Sequence, residues 1–332
     1  MDSFRQALSR LEPFEWLGLA ATGTALWIFF AFGHRLDEAA GIPGYHWRVV
    51  GIVAGIYGRF IPVALLFGLV VFAVAAWRMR DRRPAGWHRF GFGVRVFLSY
   101  CALLLVFRVV NFYVPVIHSE LRDPVIQCMD AALFGRQVAD WLEPLVRPWL
   151  THLLTGAYVS WFWLLFFTIL LLVWRSREAA SEYLLASLLA FYTGYACYLL
   201  VPVIGPGYTL HFSIPVGDIA PVFTLDRFAI PRDCFPSLHT ALTVVMFIYV
   251  WRHCRIWCLL YAPLGGLIVF ATLYLRFHYG MDDVAGAALG VAVSYIAPAL
   301  QTLWARRRHT GARPAGAPVS WMQVNEARWR HG

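Results

Sequence analysis

Two short polar segments of an otherwise apolar chain carry residue types that could do chemistry. In the second of them, His278 and Asp282 are four residues apart, a spacing that places both on one face of a helix. A carboxylate there can accept a hydrogen bond from Nδ1–H of the imidazole, which leaves Nε2 free as a nucleophile or base. Asp283 would point about 100° away on a helix. The spacing therefore predicts Asp282 as the carboxylate that orients His278.

The first polar segment joins a proline, a serine and a histidine. Pro236 and Ser237 would begin a helix, and the N–H groups at a helix N-terminus suit a phosphate. Ser237 can add a hydroxyl donor, while His239 can protonate a leaving oxygen and then activate an acceptor. Arg276 and Arg108 are the candidate phosphate-binding cations, although a buried arginine can instead pair with a carboxylate that braces the fold. Together these residues predict phosphoryl chemistry that needs no metal or other cofactor.

The elements that must position these residues are membrane helices. The chain has 332 residues, of which 60% are hydrophobic and 14% are charged, a composition that indicates lipid as its solvent. The sequence predicts an all-α polytopic membrane bundle with about eight transmembrane helices. The sixth is short and is expected to start inside the protein. The eight segments are residues 14–33, 59–77, 95–116, 153–174, 183–203, 238–251, 257–275 and 282–304.

The positive charge of the chain gives an orientation. All 28 basic residues are arginines, and most of them lie in short loops beside apolar segments, which indicates a topology signal and no nucleic-acid partner. With a cytoplasmic N-terminus, the inside segments hold 17 arginines and the outside segments nine. The bias predicts that both termini are cytoplasmic and that the two polar segments open at the outer face. Arginine in place of every lysine suggests a GC-rich genome. The expected location is a bacterial inner membrane.

The two polar segments together match a known pattern. The run Pro236-Ser237-Leu238-His239, followed by Arg276-Phe277-His278-Tyr279 and Asp282, resembles the type 2 phosphatidic acid phosphatase superfamily. The likeness is greatest to its branch of inositol phosphorylceramide and sphingomyelin synthases. The run from Gly194-Tyr195 through residues 201–206 is also similar to the loop that precedes the catalytic segments in that branch, and residues 129–135 are a weaker match. The resemblance covers about residues 95–300 and implies a six-helix catalytic core.

The resemblance also implies a role for each residue. His278 would be the nucleophile that forms a phosphohistidine, Asp282 its orienting carboxylate, and His239 the general acid. Ser237 would be a phosphate-binding donor, and the substrate would be a lipid phosphate within the membrane.

The chain departs from the classical members at their phosphate-binding cations. Those members carry a Lys-x6-Arg-Pro motif, but this chain has no lysine, and Asp140 stands at the lysine position before Arg147-Pro148. Arg276 and Arg108 would have to replace the phosphate-binding lysine and arginine of that motif. This departure is typical of the transferase branch, and it leaves hydrolysis and transfer to an alcohol both open.

Three regions and two rival functions complete the sequence-based interpretation. Residues 1–94 would form two helices and a basic loop, 95–304 the catalytic membrane domain, and 305–332 a disordered basic tail. His239, His278 and Asp282 could alternatively bind zinc in a membrane metalloenzyme. A transporter is less favoured, because the chain shows no paired repeats. Pairing of Cys128 with Cys234 and the oligomeric state stay open.

Overall fold

The chain folds into a bundle of long helices with short helices at one end. A computed structural model describes residues 11–52, 54, 55, 58, 83–216 and 231–311, and within these ranges it contains helices and no strands. Ten α-helices are named here in chain order. They are α1 (Pro13–Ala40), α2 (Arg83–Ile117), α3 (Asp123–Phe134), α4 (Val138–Leu142), α5 (Pro148–Arg175), α6 (Arg177–Leu200), α7 (Pro206–Thr209), α8 (Leu238–His253), α9 (Cys258–Tyr274) and α10 (Gly280–Gly311).

The structure confirms an all-α polytopic membrane bundle. Six helices in the described ranges are long and apolar enough to cross a membrane, namely α1, α2, α5, α6, α9 and α10. The predicted span 59–77 lies outside the described residues. Helix α10 continues to Gly311. The rest of the tail predicted at 305–332 lies outside the described residues, so its disorder stays a prediction.

Helix α8 is shorter than a membrane span and begins inside the protein, as the sequence predicts. Its 16 residues cover about 24 Å, less than the ~30 Å of a hydrocarbon core. Its first residue, Leu238, is buried, and Ser237 before it is fully buried. The start of α8 is therefore recessed within the bundle.

Two glycines bring α8 and α10 into close contact. A Cβ added at Gly286 would lie 2.3 Å from the carbonyl oxygen of Ser237, and one added at Gly290 would lie 2.4 Å from that of Ala241. Small residues one turn apart let membrane helices approach closely. Because α8 and α10 start at the same end of the bundle, this contact brings the two polar segments together.

Helix α3 braces the same end from outside. Asp123 accepts hydrogen bonds from the N–H groups of Ile204 and Gly205, and Asp130 accepts from those of Gly280 and Met281. The α3 helix thereby fixes the loop after α6 and caps the N-terminus of α10. These bonds give a structural role to residues 129–135 and 201–206, both of which belong to the sequence resemblance.

A cluster of ion pairs joins the helices at the opposite end. Glu12, just before α1, accepts hydrogen bonds from Arg95 on α2 and from Arg177 and Ser181 on α6. Arg95 also pairs with Glu15. The two ends of the bundle thus differ in chemistry, with histidines at one and this arginine–glutamate cluster at the other.

Candidate active site

His278 lies in the turn between α9 and α10. The backbone N–H groups of Phe277 and His278 donate to the carbonyl oxygen of Thr272, at 3.0 and 3.1 Å, which folds the turn back onto the end of α9. The imidazole Nδ1 lies 3.4 Å from Oδ2 of Asp282. That oxygen also accepts the N–H of Tyr279 at 2.8 Å, which fixes the carboxylate.

The surroundings of His278 favour its protonated form. Burial by itself would lower the pKa of this imidazole, but the carboxylates of Asp282, Asp283 and Asp233 outweigh that effect and raise the pKa above its ordinary value. His278 therefore keeps a proton to a higher pH than a free imidazole does. Asp282 lies on the Nδ1 side of the ring, which leaves the Nε2 side for chemistry.

Asp283, unlike Asp282, bonds to threonine hydroxyls of two other helices. It accepts hydrogen bonds from the hydroxyls of Thr240 on α8, at 2.6 Å, and Thr272 on α9, at 2.7 Å. Asp283 thus ties three helices together. The carboxylate that faces His278 is Asp282, the residue that the sequence spacing selects.

His239 occupies the first turn of α8 within an aromatic environment. Its ring stacks on that of Tyr158 of α5, with ring centroids 4.4 Å apart. The Trp161 ring is tilted against the same imidazole, with a centroid distance of 4.5 Å. The ring centroid of His278 is 6.1 Å away. Nε2 of His239 is buried and has no hydrogen-bond partner among the residues that the structure describes. This nitrogen is therefore available to a group bound between the two imidazoles.

Ser237 serves first as the N-cap of α8. Its hydroxyl accepts the N–H of Thr240 at 3.4 Å and lies 3.3 Å from that residue's Oγ1. Its own N–H donates to the carbonyl oxygen of Asp282 at 3.0 Å. The hydroxyl that the sequence suggests for phosphate binding is thus engaged with Thr240, and the backbone N–H of Ser237 holds the start of α8 beside Asp282.

Arg276 is held by the segment that follows α7. Its backbone adopts a positive φ of 64°. The guanidinium carbon lies 3.6 Å from the ring centroid of Phe212, and the group donates to the carbonyl oxygen of Ile214 at 2.7 Å. Glu143 is 3.8 Å away. The sequence-based role of Arg276 as a phosphate ligand therefore lacks support in this geometry, because its guanidinium already has partners.

The segment that holds Asp233 lies beside His278, because Sγ of the next residue, Cys234, donates to the carbonyl oxygen of Phe277; the sequence reasoning assigned Asp233 no role. Its pKa is raised by burial, while His278, a hydrogen bond from Asn111 and the charge of Arg108 act in the opposite direction. The neighbouring residues fix its position. Arg232 donates to the carbonyl oxygen of His118 at the end of α2. In the sequence, Asp233 is marked only by its position, as an acidic residue shortly before the Pro236-Ser237 start of α8.

Arg108 reaches the same region from α2. Its guanidinium carbon lies 5.8 Å from the ring centroid of Phe107, and its charge acts on Asp233. Within the described ranges no hydrogen bond or ion pair of Arg108 is found. A half-buried arginine in a membrane helix needs an anionic or polar partner, so Arg108 is the better candidate for a phosphate ligand.

The arrangement bears on two alternatives left open by the sequence. Zinc binding would require His239, His278 and Asp282 to converge on one point, but Asp282 instead faces Nδ1 of His278. Among the described residues, no group of three or more His, Cys, Asp or Glu side chains is arranged so that it could hold a metal ion. Cys234 and Cys128 are both free thiols, and Sγ of Cys234 donates to the carbonyl oxygen of Phe277.

Comparison with protein-family models identified a family. A family model described as PAP2 superfamily matches residues 129–296, about half of the chain. The matched range runs from α3 into α10 and includes both histidine segments, whereas α1 and α2 precede it. A search of curated proteins and a search of solved structures each returned no match.

Proposed function

Since the chain belongs to the PAP2 superfamily, we propose that it is a membrane-embedded enzyme that cleaves or transfers a phosphate ester of a lipid through a phosphohistidine on His278. The observation that carries the proposal is the pairing of two histidines. His278 has a carboxylate on its Nδ1 side, and the buried Nε2 of His239 has no partner among the described residues. One imidazole is thus equipped as a nucleophile and the other as an acid–base group.

In the first half-reaction, Nε2 of His278 attacks phosphorus. The bond between phosphorus and the oxygen of the lipid alcohol breaks, and that oxygen takes a proton from His239. Asp282 stabilises the positive charge that develops on His278. The products are a neutral lipid alcohol and a phosphoryl group bonded to His278.

In the second half-reaction, an acceptor hydroxyl attacks the same phosphorus. His239 takes the acceptor's proton, and the bond between phosphorus and Nε2 of His278 breaks. Water as the acceptor gives a phosphatase, and an alcohol gives a transferase. Membership of the PAP2 superfamily supports chemistry on phosphate esters for the phosphatase and for the transferase alike. The assay below distinguishes water from an alcohol as the acceptor.

The aromatic wall around His239 suits a lipid leaving group. Tyr158 is stacked between His239 and Phe277, with centroids 4.4 and 4.7 Å away. Phe162, on the same helix, is half exposed on the apolar surface of the bundle. An acyl or isoprenoid chain that entered beside α5 would bring its ester oxygen to His239. The phosphate oxygens would then face α2, where Arg108 can pair with them and Ser237 caps the recessed helix start.

The arginine distribution supports an orientation for the site. Segments that share the side of the arginine–glutamate cluster carry most of the arginines, and positive loops stay in the cytoplasm. We therefore place both termini inside and the histidines at the outer face, in a bacterial inner membrane.

A lipid-phosphate assay tests the proposal. The purified protein in detergent would be given phosphatidic acid and phosphodiester lipids with EDTA present, and the lipid alcohol, free phosphate and new phospholipids would be followed. We expect turnover in EDTA that His278→Ala abolishes. His152→Ala, which removes an exposed histidine at the start of α5, is the matched control and should retain wild-type turnover.

The outcomes separate the alternatives. Turnover that survives in His278→Ala would disprove the site assignment. Loss of turnover in EDTA with recovery on adding zinc would replace the phosphohistidine mechanism by a metal mechanism. A new phospholipid that requires an added alcohol would identify a transferase.

A further inference from the structure

We infer that Tyr158 is the positioning residue of His239, and that its aromatic ring orients this imidazole much as the Asp282 carboxylate orients that of His278. The inference rests on the proposed function, because it assumes that His239 passes a proton to the leaving oxygen. It deepens that proposal by naming the group that holds the proton donor in place. Tyr158 acts through His239 and takes no part in bond making itself.

The two histidines differ in what surrounds their rings. Nδ1 of His278 lies 3.4 Å from a carboxylate oxygen of Asp282. In the described ranges His239 has no such ion pair, and its buried Nε2 has no hydrogen-bond partner. A side chain that transfers a proton must nevertheless be held in one orientation. The imidazole of His239 is flanked by aromatic side chains, which are therefore the candidates for that task.

Tyr158 joins the two histidine segments in one stack of rings. Its ring lies against the imidazole of His239 with a centroid distance of 4.4 Å and an interplanar angle of 24°. The ring of Phe277 is stacked on Tyr158 as well, at 4.7 Å and 21°. Phe277 directly precedes His278 in the chain. The stack therefore fixes the imidazole on α8 relative to the turn that carries the other imidazole.

Trp161, three residues further along α5, restrains the backbone of His239. Its indole N–H donates to the carbonyl oxygen of His239 at 3.2 Å, and the hydroxyl of Thr243 donates to the same oxygen at 2.6 Å. The indole ring is also tilted against the imidazole at a centroid distance of 4.5 Å. With the backbone fixed in this way, rotation of the imidazole about its side-chain torsions is the freedom that the Tyr158 ring removes.

The aromatic faces also suit the charge that His239 carries as an acid. A protonated imidazole is positively charged, and burial without a carboxylate partner disfavours that charge. The ring faces of tyrosine and tryptophan attract a cation that lies over them. Loss of the Tyr158 ring should therefore impair proton donation to the leaving oxygen. Attack of His278 on phosphorus should be spared when the leaving group needs no proton.

Leaving groups of different basicity separate these two steps. Phosphatidic acid releases diacylglycerol, whose alkyl oxygen needs a proton, whereas nitrophenyl phosphate releases a phenolate that needs none. The first turnover of each substrate is followed in detergent over a range of substrate concentrations. We expect Tyr158→Leu to slow the limiting rate of diacylglycerol release about tenfold, the effect of one lost contact between a ring face and a buried cation. The limiting rate of nitrophenol release should stay within about twofold of the wild type.

Two variants control this comparison. Tyr158→Phe keeps the ring and should restore wild-type rates with both substrates. Trp163→Leu removes an aromatic side chain of the same helix that is 68% exposed, and it should change neither rate. The amplitude of the first nitrophenol turnover counts the intact sites, so a partial loss of folded protein lowers the amplitude and leaves the rate per site measurable.

A spectroscopic measurement on the wild type needs no variant of Tyr158 to fold. The Cε1–H signal of His239, identified by its loss in His239→Ala, should be shifted upfield by the ring current of the stacked tyrosine. A signal at the position of a free imidazole would overturn the inference, because the ring would then not be stacked.

The kinetic outcomes also decide the matter. Equal slowing of both substrates by Tyr158→Leu would overturn the inference, since it would indicate a general loss of site structure. An unchanged limiting rate with phosphatidic acid, or a change confined to KM, would overturn it too. Failure of the proposed function looks different. In that case the wild type releases neither diacylglycerol nor nitrophenol, or His278→Ala releases both.

Discussion

Replacing Asp282 by asparagine removes the charge behind His278 while keeping the side-chain shape. At the observed 3.4 Å and an effective dielectric constant near 20, a carboxylate attracts an imidazolium by about 5 kcal/mol. One oxygen of Asp282 both accepts the Tyr279 N–H and faces Nδ1. An asparagine oxygen in its place would keep these contacts but would carry no charge to stabilise the imidazolium that forms on attack. We therefore expect kcat to fall by about 10³-fold, which corresponds to ~4 kcal/mol in the barrier.

The assay for Asp282→Asn is single-turnover formation of the phosphoenzyme, which isolates attack by His278 from later steps. Asp283→Asn is the matched control, because Asp283 bonds to Thr240 and Thr272 and faces away from the imidazole. It should lower the unfolding free energy by about 1–2 kcal/mol and change the rate of attack only a few-fold. A rate for Asp282→Asn within tenfold of the wild type would refute this reasoning.

Three further predictions follow from the geometry. Carboxylates raise the pKa of His278, and attack needs its neutral form. We therefore expect kcat/KM to fall as the pH drops through a value above the ordinary imidazole pKa of about 6.5. An acidic fall of the pH profile centred at or below about 6.5 would contradict this. Gly286→Ala places a Cβ 2.3 Å from the Ser237 carbonyl oxygen, so thermal unfolding should show a loss of about 2 kcal/mol, whereas Gly266→Ala, with open space around it, should show none. Arg108→Ala should raise KM at least about tenfold, the value of a lost charged hydrogen bond, and an unchanged KM would remove Arg108 from the phosphate site.

Much of the site could be predicted because it depends on local spacing. The four-residue interval between His278 and Asp282 fixes a shared helix face wherever the helix lies. Pro236 and Ser237 mark the start of a helix by their own backbone and capping preferences. Apolar runs of about 20 residues mark membrane helices for the same local reason.

The remaining features depend on tertiary contacts that spacing does not show. Arg276 is two residues from His278, yet its positive φ and the segment near Phe212 carry its guanidinium elsewhere. The segment that holds Asp233 is fixed beside His278 because Arg232 donates to the carbonyl oxygen of His118 at the end of α2, a contact across 114 residues of sequence. Hydrophobicity and motif spacing hold no information on either contact.

The central claim is a covalent phosphoryl group on His278, and trapping it is the most direct test. With an aryl phosphate, whose leaving group needs no proton, His239→Ala should still form the intermediate but should lack the base that activates water. We predict that labelled phosphate accumulates in this variant as an acid-labile adduct, and that mass spectrometry of the peptides places it on His278. An adduct on another residue, or turnover of the aryl phosphate without any adduct, would contradict the account.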